Sequence, residues 1–95
     1  MRFEWDERKN RQNRRKHQFS FELATEVFAD PFCLTITDQI LDGEERCWTV
    51  GRVEGLALLV VVHTIRHEHG EEVIRIISAR KATPRERRFY EEAGE

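Results

Sequence analysis

Val73-Ile74-Arg75-Ile76-Ile77-Ser78-Ala79-Arg80-Lys81-Ala82-Thr83-Pro84-Arg85-Glu86-Arg87-Arg88 changes character halfway, from a β-branched strand to the start of a basic helix. Val, Ile and Ser over Glu72 to Ala79 predict a strand, and Thr83-Pro84-Arg85-Glu86 matches a capping box with Pro at the first helical position. Arg75 and Arg80 interrupt the strand. A permanently charged guanidinium in such a setting is costly unless it meets an anion, and its planar fork fits a carboxylate or a phosphate. The segment therefore reads as a phosphate-facing surface on rigid scaffold, with RNA as the first partner to test.

Working back from it, three more strands are expected: Cys33 to Thr37, Arg46 to Arg52, and Leu56 to Thr64. The turns at Asp42-Gly43, Glu54-Gly55 and His67-Glu68-His69-Gly70 are short, which favours antiparallel pairing. Leu56 to Val62 is apolar at every position, so its strand should be central and covered on both faces. Ahead of the strands, Ser20 caps a core helix with Phe21, Leu23, Ala24, Val27 and Phe28 on its apolar stripe, ended by Asp30-Pro31. At the N-terminal end, Met1 to Trp5 alternates like a short strand, and Asp6 caps a helix over Glu7 to His17. That helix has no large apolar residue, so it should be held by its Phe3 and Trp5 lead-in. The expected fold is α+β in the order β-α-α-β-β-β-β-α, a mainly antiparallel sheet with packed helices, in one domain over residues 1–95.

The chain has 95 residues and a formal charge of −2, with 36% charged residues against 39% apolar. The charge is unevenly spread. Residues 1–17 carry seven Lys/Arg and three acids, residues 18–72 three and eleven, and residues 73–95 six and four. Two basic ends flank an acidic middle, a distribution that can steer a polyanion despite the negative total; two solvated helical faces are the plainer alternative. Cys33 and Cys47 lack CxxC spacing and no charged-then-apolar leader precedes them, which points to a soluble protein in a reducing cytoplasm. The longest apolar run has seven residues, too few to span a bilayer.

Several segments together resemble the BrnT toxins: Phe3-Glu4-Trp5-Asp6, Asn13-x-x-Lys16-His17 with Ser20-Phe21-Glu22, Glu45-Arg46, Val50-Gly51-Arg52, Val60-Val61-Val62-His63-Thr64, and Ile74 to Thr83. The resemblance spans nearly the whole chain. It implies the toxin half of a bacterial type II toxin-antitoxin pair, with a RelE-like ribonuclease fold, RNA cleavage, inhibition of translation, and a BrnA-like protein antitoxin forming a hetero-oligomer with it. Gln18 departs from the pattern by standing where many relatives carry Gly.

A ribonuclease that uses no metal must activate a 2′-hydroxyl, hold it in line, stabilise charge on the phosphoryl oxygens and protonate the leaving oxygen. Arg75 and Arg80 suit charge stabilisation, with an ion pair to an acid such as Glu72 or Glu26 as the alternative. Strict alternation places the two on opposite faces, so joint action needs a bulge or the strand's end between them. His17 suits proton transfer, with Lys9 on the same helix to orient it, or else caps a carbonyl. Arg52 suits a phosphate contact or sits exposed at a strand end, and Tyr90 stacks on a base, transfers a proton or is simply packed. Asn13, Lys16, Lys81, Arg85 and Arg88 complete the expected RNA-binding set. No cofactor is called for, and Cys33, Cys47, His63 and His67 lack the cysteine spacing of a zinc site. Two non-enzymatic readings use the same arginines: a regulator gripping nucleic-acid backbone, and a subunit docking an acidic peptide.

Overall fold

Consecutive apolar residues need cover on both faces, and Leu58, Leu59, Val60 and Val61 have it at the centre of the sheet. The structure, a computed structural model, describes residues 1–55 and 57–94. It is an α+β fold with three helices and a five-stranded, mostly antiparallel sheet. The strands are β1 (Arg2–Glu4), β2 (Leu34–Leu41), β3 (Glu44–Arg52), β4 (Leu58–Glu68) and β5 (Glu71–Lys81), and the helices are α1 (Glu7–His17), α2 (Phe21–Ala24) and α3 (Pro84–Ala93). Across the sheet the order is β1-β5-β4-β3-β2, with β1 parallel to β5 and every other pair antiparallel. Leu56, where the central strand was expected to begin, lies outside the described residues.

On one face, Phe21, Ala24 and Val27 pack against Leu59, Val61, Ile74, Ile76 and Ala79. On the other, Tyr90 of α3 and Ala82 pack against Val50, Leu58 and Val60, with Trp48 and Leu34 at the margin. Only one end of this second face is covered by a helix. The expected core helix is shorter than its stripe suggests: α2 gives way to a 3-10 turn over Thr25–Ala29. Tightening brings Val27 close to β3 at Gly51, where a Cβ would lie 2.8 Å from Val27 Cγ1 and 2.9 Å from its carbonyl oxygen. Gly51 is what that approach requires.

Two buried asparagines hold the polar helix α1. The Asn10 Nδ2 donates to Glu22 Oε1 at 2.8 Å and to Glu7 Oε1 at 3.1 Å, and its Oδ1 accepts from the Phe21 N–H at 2.8 Å. Asn13 Nδ2 donates to the carbonyls of Phe19 and Ala79, both at 2.8 Å, and Oδ1 accepts from the Ala79 N–H at 3.1 Å. Asn13 thereby substitutes for a neighbouring strand along the edge of β5 that short β1 leaves uncovered. The lead-in also packs, Trp5 edge-on to Phe21 and Phe3 against Phe28. Asp6 caps the start, accepting from Arg8 N–H. At the other end Gln18 takes the left-handed conformation (φ 71°) and donates its N–H to Arg14 O, so the turn favoured by Gly is made with Gln.

Candidate functional site

Arg75 and Arg80 share a face. Val62 pairs with Ser78 and His63 with Ile76, which leaves Ile77 as an extra residue and resets the alternation of β5. Arg75 is then in register with Thr64 and Arg80 with Val60, both on the side of β4 that α3 only partly covers. Those partners are four residue steps apart on β4, so the two arginines stand roughly 13 Å apart along the strand.

Both have anionic partners, and neither is Glu72 or Glu26. Arg80 grips Glu86 through both terminal nitrogens, Nη1–Oε1 at 2.8 Å and Nη2–Oε2 at 2.9 Å. Glu86 is also the reciprocal member of the Thr83 capping box, accepting from the Thr83 N–H at 2.9 Å. Arg80, opposing burial and aided by the Thr83 bonds, holds the Glu86 carboxyl down to about 2. Arg75 donates one nitrogen, Nη1, to Glu4 Oε2 at 3.1 Å. Arg66 takes Glu4 bidentately at 2.9 and 3.0 Å and reaches Glu68 through Nε. With Arg66 as the larger cause and Arg75 adding to it against burial, Glu4 is also lowered to about 2. Arg75 keeps Nη2 and Nε without a hydrogen bond among the described residues.

Two adjoining hollows open on this face. One, about 300 Å³, is lined by Gln39, Leu41, Asp42, Glu44, Arg46 and Thr64. Its neighbour, about 230 Å³, includes Arg46, Trp48, Val62, Arg80 and Glu86. Arg46 borders both, is exposed, and makes no ion pair among the described residues.

Lys9, Lys16 and His17 gather elsewhere, around a hollow of about 230 Å³ between α1 and β5 that Asn13, Ile77 and Ser78 also line. Ser78 connects the two regions, since its register partner Val62 borders the sheet-face hollow. Asn13 belongs to this group by position, but its carboxamide is turned inward to Phe19 and Ala79.

Arg52 and Tyr90 meet at the far end of β3, away from Arg75. The Arg52 guanidinium lies 5.9 Å from the Tyr90 ring centroid, and Tyr90 donates its hydroxyl to Asp30 Oδ2 at 2.6 Å. Asp30 also accepts from the N–H groups of Arg52 and Phe32. Burial alone would raise Asp30, but these bonds outweigh it and the carboxyl is lowered. Burial and the Asp30 contact push the Tyr90 hydroxyl up. Tyr90 is thus a packed anchor of α3. Lys81, Arg85 and Arg88 are exposed beside or on α3.

His63 belongs to the core: its Nε2 lies 2.7 Å from Thr49 Oγ1, Phe28 packs edge-on to the ring, and burial lowers it to about 4. Burial raises both thiols, Cys33 and Cys47. Among the described residues no group of three or more His, Cys, Asp or Glu is placed to hold a metal ion, and no helix is long and apolar enough to cross a membrane. Glu4, Arg46, Thr64 and Arg66 were not among the residues the sequence singled out for this site. Only the strand register brings them beside Arg75.

A half-open sheet face carrying Arg46, Arg75 and Arg80, with the basic helix α1 at its edge, is the candidate site of this small α+β protein. Residues 5–86 match the family model of the ribonuclease toxin BrnT of type II toxin-antitoxin systems, and the chain belongs to that family. Membership brings an RNA substrate and a protein antitoxin as partners. No curated protein matches the chain.

Proposed function

We propose that residues 1–95 act as one RelE-like unit, an endoribonuclease that needs no metal, inhibits translation and is neutralised by a BrnA-like antitoxin in the bacterial cytoplasm. The observation that carries this reading is the alignment of Arg75, Ser78 and Arg80 on the open face of β5, with Lys9, Lys16 and His17 across the strand's edge.

An RNA strand crossing β5 at Ser78 meets guanidinium groups on one side and an imidazole and two ammonium groups on the other. In the reaction, the 2′-oxygen bonds to the adjacent phosphorus while the bond from phosphorus to the 5′-oxygen breaks. A cyclic phosphate and a free 5′-hydroxyl result. Arg75, with two unoccupied donors, stabilises charge on the phosphoryl oxygens. His17 and Lys9 handle the proton leaving the 2′-oxygen and the one gained by the 5′-oxygen. Arg80 has both terminal nitrogens on Glu86, so its first role is to hold the start of α3. Lys16, Lys81, Arg85 and Arg88 attract the backbone.

The test is incubation of purified protein with RNA in excess EDTA, followed by mapping of new 5′ ends. Cleavage that survives chelation is expected. RNA shifted but left uncut would indicate a binding regulator instead, and cleavage abolished by EDTA and restored by zinc or magnesium would remove the metal-free mechanism.

A further inference from the structure

Thr64 lies in a row of register partners running Glu4, Arg75, Thr64, Arg46, Gln39 from one edge of the sheet to the other. Partners in one row project from the same face, so the side chains of Arg46 and Arg75 flank that of Thr64, with their Cα atoms roughly 10 Å apart across two strand spacings. Thr64 is 8% exposed, and its Oγ1 is the one buried side-chain polar atom without a hydrogen-bond partner among the described residues. An orphaned buried hydroxyl is destabilising, and here it borders a hollow of about 300 Å³ shared with Arg46 and Gln39. Arg46 makes no ion pair among the described residues, and Arg75 has two donors to spare.

We propose that the Arg46–Thr64–Arg75 row is a phosphoryl-binding site, in which two guanidinium groups and the Thr64 hydroxyl hold the oxygens of one backbone phosphate of the RNA. All three groups donate to the same kind of acceptor, and the anion supplies the partner that Thr64 lacks. Asp42 and Glu44, at the β2–β3 turn, close the outer end of the hollow. Their negative charge disfavours a phosphate at that end and leaves the Thr64 end, next to Arg75 in the row, for the anion. That the phosphoryl group comes from RNA rests on the ribonuclease reading; the anion site itself rests on the row.

Inorganic phosphate titrated into the free protein, followed by NMR, tests the site without RNA. The Thr64 amide and Arg46 Nε signals should shift saturably. Thr64→Val, which keeps the shape and removes the hydroxyl, should weaken phosphate binding roughly tenfold while leaving Tm unchanged or raised. Arg46→Gln should weaken it at least as much, and Thr64→Ser should retain it. The same Val and Gln variants should lower RNA cleavage per folded molecule by similar factors. Weakened phosphate binding in a protein whose wild type leaves RNA intact would keep the anion site and remove RNA as its source. Wild-type cleavage matched by both variants, with Thr64 unshifted by phosphate, would overturn the site and leave the ribonuclease reading standing.

Discussion

Arg80 and Glu86 close a two-pronged ion pair, 2.8 and 2.9 Å, that ties the last strand to the first turn of the last helix. The same carboxylate completes the Thr83 capping box, so one acid satisfies both the guanidinium and a helix-start N–H. Arg80→Ala should therefore lower stability by about 1 kcal/mol, the pair being only partly buried. Cleavage per folded molecule should fall less than tenfold. Denaturant melts paired with single-turnover cleavage decide this: unchanged stability with a loss of about 10² or more in cleavage would return Arg80 to the transition state.

Asn13 should prove structural. Replacing it with Ala leaves the Ala79 N–H and C=O at the β5 edge without partners, which costs about 2 to 4 kcal/mol. The expected Tm loss is roughly 10 °C or more. An Asn13→Ala protein as stable as wild type but defective in RNA binding would show that the amide serves the ligand after all.

The Gln18 cap predicts a gain. A left-handed φ of 71° strains any residue with a Cβ, so Gln18→Gly should stabilise the protein by about 1 kcal/mol, read as a higher Tm. An unchanged or lower Tm would mean that Gly's added freedom in the unfolded chain cancels the relief.

Stability should fall in two stages as the solution is acidified. His63, held down to about 4 from its ordinary 6.5, binds its proton more readily when unfolded, so stability falls as pH drops from 6.5 toward 4, by on the order of 3 kcal/mol. Glu4 and Glu86, lowered from 4.5 to about 2, contribute stability that is present above pH 4.5 and lost as pH falls through 2. His63→Gln should flatten the first stage only, and Glu86→Gln should shrink the second. A pH–stability profile whose upper stage is identical in wild type and His63→Gln would remove the histidine from the account.

Local signals in the chain mark most of the fold's parts. The Thr83 box, the Asp6 and Ser20 caps and the run of apolar residues around Val60 each carry their own physics, and α1, the start of α3 and the central place of β4 follow from them. Tertiary choices were less legible. Asn10 and Asn13 look like surface residues on a polar helix, because nothing local signals that their amides will meet Phe21 and Ala79. The 3-10 turn at Thr25–Ala29 sets Val27 against Gly51, a contact between segments far apart in the chain.

The site divides in the same way. Arg75 stands out as a charge in an apolar strand, whereas its common face with Arg80 depends on one extra residue, Ile77, in a run of isoleucines where no register can be counted. Arg46 and Thr64 become neighbours of Arg75 only through pairing with two other strands. Glu86 was legible as a capping residue, but its grip on Arg80 was not.

The central claim is that the protein cuts RNA and that Arg75 stabilises the reacting phosphate. It is tested most directly by inducing wild type and Arg75→Ala separately in bacteria, at matched folded levels, and mapping RNA 5′ ends. Wild type should arrest growth and generate new ends, with about 10² to 10³ fewer in the variant. No new ends from wild type, or equal numbers from both proteins, would contradict the account.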